Sequence, residues 1–422
     1  MSISKRHTAL LAGFIGNVVE WYDFALYGYM AGIISTLFFP QQSDTAGLIA
    51  TYGIFAAGFF MRPLGSGILG WMGDTLGRSR TMMISVIMMV LPTVLLGCLP
   101  TYDTIGLWAP VLLVIIRMVQ GLSVGGEFSS SVTYLVETAS DDGRGLAGSW
   151  ANTGSMAGML LGSGAAAALT NLFPSDFVHS WGWRIPFLLG GIIGGLAILL
   201  RRRLPQSDHF QNHHEERDET SPLLEAFTTN RKQMIQAILF ASAYGILFYI
   251  PLVYFPEWLH RETGMERELA LQINTAGTAL LLALIPVSGW LGDRLIRRTR
   301  LISMTMFLLM LCAVPLYVWL ANDGLYGAIA VQFLLAMLVA VPLGSAPAMF
   351  VELFPACDRL SGYSVAYNIG LGVVGGATPM LATSLIEMTG SSVAPAALLA
   401  TAGLMAFAVT LWMKDGSREA LK

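Results

Sequence analysis

A long series of apolar stretches, each about the length of a membrane-crossing helix and parted by short polar segments, leaves this 422-residue chain no soluble globular fold to adopt. The runs lie near residues 9–37, 47–72, 82–100, 106–136, 144–172, 184–200, 233–259, 268–291, 301–320, 325–353, 362–387 and 393–413. Backbone groups in hydrocarbon must be satisfied within their own segment, so each run is read as a helix despite its glycines and prolines. Charged residues make up 12% of the chain and mean hydropathy is +0.63, where a soluble domain carries about a quarter charged residues. The first run follows Lys5 and Arg6 but continues to about Phe39 and holds Glu20 and Asp23, too long and too acidic for a cleaved signal. Cys98, Cys312 and Cys357 are odd in number and far apart, and suggest neither a disulfide framework nor a metal site.

The basic residues orient the spans. With the N-terminus inside, Lys5, Arg6, Arg78, Arg80, Arg144, Arg201–Arg203, Arg217, Arg231, Lys232, Arg294, Arg297, Arg298, Arg300, Arg359, Lys414, Arg418 and Lys422 fall in cytoplasmic segments, and only Arg261 and Arg267 clearly fall outside. The positive-inside rule therefore sets both termini in the cytoplasm. Trp108, Trp181, Trp183 and Trp258 are expected at the interfaces. The longest polar stretch, residues 201–232, follows the sixth span and divides the chain into halves at 1–200 and 233–422. Its His209, His213 and His214 could in principle hold a metal; a solvated charged linker is the reading kept, with no metal site.

The halves are duplicates. Gly70-Trp71-Met72-Gly73-Asp74 after span two recurs as Gly289-Trp290-Leu291-Gly292-Asp293 after span eight, and Arg78 and Arg297 follow. Glu137 with Arg144 after span four recurs as Glu352 with Arg359 after span ten. The fold class that follows is an all-α membrane protein, twelve transmembrane helices in two pseudo-symmetric six-helix bundles, the architecture of transporters that rock one half against the other. The repeated Gly, Asp, Glu and Arg residues form a candidate cytoplasmic gate, in which a carboxylate meets an opposing helix terminus and arginines.

A charge at the bilayer centre costs roughly 2.5 to 3.5 kcal/mol even on lenient scales, so the intramembrane charges demand a use. The first half holds Glu20 and Asp23 in span one, Arg62 in span two, and Arg117 and Glu127 in span four. At 100 degrees per residue, Asn17, Glu20, Asp23 and Tyr27 share one face, and Arg117, Gln120, Glu127 and Ser131 another. Both faces should line a cavity. Arg117 and Glu127 are about 15 Å apart along a helix and must each find another partner. Glu20, Asp23 and Glu127 are the proton-coupling candidates. Asn17, Tyr27, Arg117, Gln120, Asn152, Tyr249, Tyr367 and Asn368 are the solute-binding candidates, with Arg117 offered to a carboxylate, and Tyr254 and Asn274 adding polarity in the second half. Arg62, preceding Pro63, is expected to snorkel toward the cytoplasmic end of its helix.

Other chemistry is absent. Gly65–Gly70 fits a dinucleotide pattern but lies inside an apolar span with no preceding strand, and Gly121–Gly125 fits a nucleophile elbow in mid-helix. None of the four lysines is followed by Ser or Thr, so no phosphate-cradling loop exists. An enzyme, a non-transporting sensor and an uncoupled facilitator or exchanger are the competing classes. The chain is read as no enzyme, with no cofactor, a proton gradient as energy source, a small organic solute and a proton as partners, no nucleic acid, and a monomer as the working unit.

Gly16–Phe24 (GNVVEWYDF), Arg62–Gly65 (RPLG), the loop Gly70–Arg80, Gln120–Glu127 (QGLSVGGE) and Trp181–Phe187 (WGWRIPF) together resemble the metabolite:proton symporter family of the major facilitator superfamily. The resemblance spans essentially the whole chain. It implies alternating-access import, with a proton, of a small organic acid or zwitterion, whether a di- or tricarboxylate or a proline- or betaine-like solute, across a bacterial inner membrane. In the second signature loop Ile296 stands where the family has Gly, which implies a weaker second latch. The resemblance does not extend to the coiled-coil tail of osmosensory members after span twelve, so osmotic gating by that device is not expected.

Overall fold

The computed structural model describes residues 3–42, 44–202, 204 and 227–421. Twelve helical columns cross it in chain order: α1 (Ile3–Tyr29, resuming as Ala31–Phe38), α2 (Asp44–Thr75), α3 (Arg78–Cys98), α4 (Trp108–Thr138), α5 (Arg144–Leu172), α6 (Arg184–Arg201), α7 (Arg231–Thr263), α8 (Arg267–Arg294), α9 (Arg298–Asn322), α10 (Gly324–Leu353), α11 (Arg359–Thr389) and α12 (Pro395–Trp412). Columns α1–α6 form one bundle and α7–α12 the other. Among the described residues, nine columns are long and apolar enough to cross a membrane by composition alone; α1, α2 and α5 are as long but fall outside that set. α1 and α2 carry buried charge, and α5 is rich in Gly, Ser and Asn. Leu107, Ile192, Phe60 and many other large apolar side chains point outward, as lipid-facing residues do.

Lipid tails are as apolar as leucine, so close packing rather than expulsion of water joins these helices. The most extensive pair is α1 with α5, where Gly154, Gly158 and Gly162 form a smooth stripe against the carbonyls of Phe14, Val18 and Tyr22. The halves meet along α2 with α11 and, symmetrically, along α5 with α8. Besides the break of α1 at Met30, two columns are interrupted within their length. Wide π turns replace α-helix at Ile250–Tyr254, which holds Pro251, and at Asn368–Gly375. Such turns frequently mark functional positions.

Several expectations are corrected. Trp183 and Trp258 are buried in the bundles rather than interfacial, whereas Trp108 and Trp181 are exposed. Arg201, counted with the linker, closes α6 and is 1% exposed. Arg62 does not snorkel: α2 continues through Pro63 to Thr75, which leaves Arg62 in mid-helix and buried. Residues Gly65–Gly70 and Gly121–Gly125 lie inside α2 and α4. His209, His213 and His214 lie outside the described residues.

Candidate functional site

The first-half charges separate into three pairs. Asp23 and Arg117 meet at 2.5 Å between α1 and α4, both buried. The Thr93 hydroxyl, from α3, reaches the second Asp23 oxygen at 2.9 Å, the Gln120 amide donates to Thr93 at 2.9 Å, and Arg117 donates to Gln120 at 2.7 Å. The four side chains thus close a ring across three helices. The Tyr27 ring supports the Arg117 guanidinium from 3.7 Å, a cation–π contact. A carboxylate this buried is held by charge and hydrogen bonds together, so protonating it breaks the ion pair and leaves Arg117 seeking another anion.

Glu20 and Arg62 form a looser pair. Their nearest atoms are 4.0 Å apart, beyond hydrogen-bond range. Phe59 lies 4.6 Å and Phe24 5.9 Å from the Arg62 guanidinium carbon. Both pairs line one small cavity of about 30 Å³, together with Phe24, Phe59, Met89 and Gly121. The third pair is different: Glu127 turns away to α6, where Arg201 grips both of its oxygens, one at 2.9 Å, and the Ser85 hydroxyl donates as well. Arg201 also donates to the carbonyls of Ala12 and Met82. That arrangement ties α1, α3, α4 and α6 together outside the cavity.

Across the seam, Trp21 lies 5.1 Å from Phe248, and Phe128 stacks on Tyr367 at 4.9 Å. Asn152 donates to the Tyr244 hydroxyl and the Leu343 carbonyl at 2.7 Å each, and Asn368 donates to the Gly125 carbonyl at 2.7 Å. These two amides therefore clasp the halves. Asn17 donates to Ser131 at 2.8 Å and joins α1 to α4. Tyr249 sits within electrostatic reach of Arg62. Asn274 accepts from Gln332 at 2.8 Å and belongs to the interior of the second bundle; Tyr254 meets Thr383 there at 3.4 Å.

On the cytoplasmic face the duplicated loops make paired contacts, the arrangement expected of a latch. Asp74 of the first half accepts the backbone N–H groups of Leu360 and Ser361, in the first turn of α11, at 3.2 and 2.7 Å. Asp293 of the second half accepts those of Gly145 and Leu146, in the first turn of α5, both at 2.8 Å. Each carboxylate caps a helix N-terminus of the opposite half, where the macrodipole favours negative charge. Glu137 then pairs with Arg78 at 3.3 Å and Arg359 at 2.8 Å, and Glu352 with Arg144 at 3.2 Å and Arg298 at 2.9 Å. Gly70 and Gly289 sit where a Cβ would press on Ser361 and Gly145 of the other half. These contacts join the two halves at the cytoplasmic face.

The profile of the family described as "Sugar (and other) transporter" matches residues 8–245 and 211–414. The chain is 34% identical to the shikimate transporter of Escherichia coli over 99% of its own length and 97% of that protein's. It is 34% identical to the alpha-ketoglutarate permease of the same organism, over 90% and 88%. It is 31% identical to that organism's proline/betaine transporter, over 99% and 85%. The structure of the proton:xylose symporter XylE bound to 6-bromo-6-deoxy-D-glucose superposes with a TM-score of 0.80, at 17% identity, over 100% of this chain and 98% of that one. The chain belongs to the major facilitator superfamily. Its twelve columns are thus the two six-helix bundles of that fold, in a multi-pass protein of the bacterial inner membrane.

Within this major facilitator chain, the latch differs from the sequence expectation at one arginine. Arg297, placed in the gate by the repeat, is exposed, and Arg298 is the buried residue that reaches Asp293 at 3.6 Å and Glu352. Gly77 explains the slip: its φ of 100° directs Arg78 inward as the first residue of α3. Ile296 stands at the equivalent place, where a Cβ makes that conformation costly, and α9 starts one residue later. Sequence reasoning also missed Thr93, Arg201 as the partner of Glu127, and residues 414–421. That last segment folds back on the gate: Arg144 donates to the carbonyls of Gly416 and Glu419, Arg298 to that of Ser417, and Asp415 accepts from Thr299. Among the described residues no cluster of three metal-ligating side chains occurs.

Proposed function

We propose that this protein imports a small organic acid or zwitterion together with a proton, by alternating access, and that Asp23 is the proton carrier. The observation that carries the reading is the Asp23–Arg117 pair at 2.5 Å inside the cavity wall. A proton on Asp23 neutralises it, frees Arg117 within the ring of Thr93 and Gln120, and changes which arrangement of α1, α3 and α4 is favoured. Glu20 shares the cavity but holds its arginine loosely, and Glu127 is committed to Arg201, so neither is as well placed to exchange a proton for a conformational change.

The cytoplasmic latch supplies the second element. Solute and proton enter from the outside while the Asp74 and Asp293 caps hold, and both must favour the state in which the caps release. Arg117, Gln120, Tyr27, Tyr249 and Tyr367 are the polar side chains that solute would meet, with Asn17, Asn152 and Asn368 holding the helices around them. The shikimate, alpha-ketoglutarate and proline/betaine relatives support a carboxylate-bearing solute. Cavity and both latches lie within one chain, which supports a working monomer.

The test is proton movement itself. Adding each of shikimate, α-ketoglutarate, proline and glycine betaine to lightly buffered, de-energised vesicles containing the protein should alkalinise the medium for the transported compound and for no other. Uptake of a labelled compound without alkalinisation would leave an uncoupled facilitator.

A further inference from the structure

We propose that Arg62 anchors a carboxylate of the transported solute and that Glu20 is the counter-charge which the solute displaces. The inference deepens the symport reading and rests on it.

The three ion pairs that the intramembrane charges of the first half make, apart from those of the cytoplasmic loops, are built differently. Both oxygens of Asp23 accept a hydrogen bond, and both oxygens of Glu127 are gripped by Arg201. Glu20 is the exception. It is 3% exposed, its Oε1 is 4.0 Å from Arg62, and its Oε2 has no hydrogen-bond partner among the described residues. An under-bonded buried carboxylate is costly, and native proteins rarely keep one without a use. Arg62 is 4% exposed and its guanidinium carbon lies over the Phe59 ring, held from one face while its ion-pair partner stays at a distance.

From the other half, the π turn at Ile250–Tyr254 follows directly on Tyr249, whose buried hydroxyl has no well-formed hydrogen bond and lies within electrostatic reach of Arg62. Tyr367, stacked on Phe128, is within the same reach of both Arg62 and Glu20. An arginine from α2 and a tyrosine hydroxyl from α7 therefore interact across the seam. Guanidinium offers parallel donors that match a planar carboxylate, and the tyrosine hydroxyl offers a third. One arginine opposed by one glutamate suits a single negative charge and disfavours a dianionic phosphate. A carboxylate held there touches both bundles at once, which is what lets binding energy act on their relative position. The chemical class assigned is a small solute bearing a carboxylate, and Glu20 competes with that group for Arg62.

The experiment is uptake into proteoliposomes by the full chain with an inward proton gradient, using labelled α-ketoglutarate, shikimate, proline, glycine betaine and uncharged D-xylose. For a carboxylate that the wild type transports, Arg62→Gln should raise KM at least about tenfold, Arg62→Lys should give an intermediate value, and Glu20→Gln should lower KM several-fold. The last effect separates competition from a structural role, because a merely structural pair gains nothing when half of it is removed. Should Arg62→Gln fail to fold, Glu20→Gln decides alone. A folded Arg62→Gln with KM within twofold of wild type, or Glu20→Gln with unchanged or raised KM, overturns the anchor and leaves the symport reading standing. Gradient-driven uptake of D-xylose alone, or of no compound, overturns both.

Discussion

Three arginines decide the chemistry of the first bundle, and they differ in how far the sequence exposes them. Arg117 is partly legible: it shares a helix face with Gln120, and its distance from Glu127 excludes a direct pair, but the sequence offers it to a solute carboxylate, whereas in the structure Asp23 is its partner. Arg62 is misread because a long basic side chain before proline looks like a helix end, whereas α2 runs on for three further turns. Arg201 is misread because it begins a run of three arginines that composition assigns to the linker. Its role in holding Glu127 yields a prediction. Arg201→Ala leaves a buried carboxylate unpaired and should cost about 3–5 kcal/mol, seen as a marked fall in Tm of the detergent-purified protein. The double variant Arg201→Met with Glu127→Gln should recover much of that loss, since it removes the stranded charge. Equal destabilisation by both would mean that packing rather than charge dominates the site.

At the level of the element, the helices themselves are predictable from apolar length, and their interruptions are not. The break at Met30 and the π turns at Ile250–Tyr254 and Asn368–Gly375 are local changes of helical hydrogen bonding, which apolar periodicity along the chain does not record. The latch loops show the same division. The repeat of Gly, Asp, Glu and Arg was readable, and the caps on α5 and α11 follow its logic. The shift from Arg297 to Arg298 required the backbone, because a positive φ at Gly77 has no counterpart at Ile296. The α1–α5 contact gives a sharp test. A Cβ at Gly158 would strike the Val18 carbonyl oxygen, so Gly158→Leu must push the two helices apart. The expected outcome is a loss of about 1–3 kcal/mol and little monodisperse protein by size-exclusion chromatography. Gly164→Leu on the same helix, where nothing lies near a Cβ, should behave as wild type.

For the whole molecule, the two bundles, their repeated loops and their orientation are written in the sequence, while the state they adopt is not. The halves are joined on the cytoplasmic side by four carboxylates, Asp74, Glu137, Asp293 and Glu352, each held by the opposite half or by arginines that straddle the seam. Removing one charge from each cap with Asp74→Asn and Asp293→Asn weakens charge-assisted bonds to helix termini and should move population toward an inward-open state. Spin labels on the cytoplasmic ends of α2 and α11 should then show a longer distance component in double electron–electron resonance, with a smaller change for either single variant. The central claim, that solute import is driven by a proton carried on Asp23, has a more direct test. It is the concentrative uptake of a labelled substrate into proteoliposomes under an inward proton gradient, wild type against Asp23→Asn, with exchange of internal for external substrate measured alongside. The account predicts accumulation by the wild type only with the gradient, no accumulation by Asp23→Asn, and exchange retained in the variant. Accumulation by Asp23→Asn equal to wild type would contradict it.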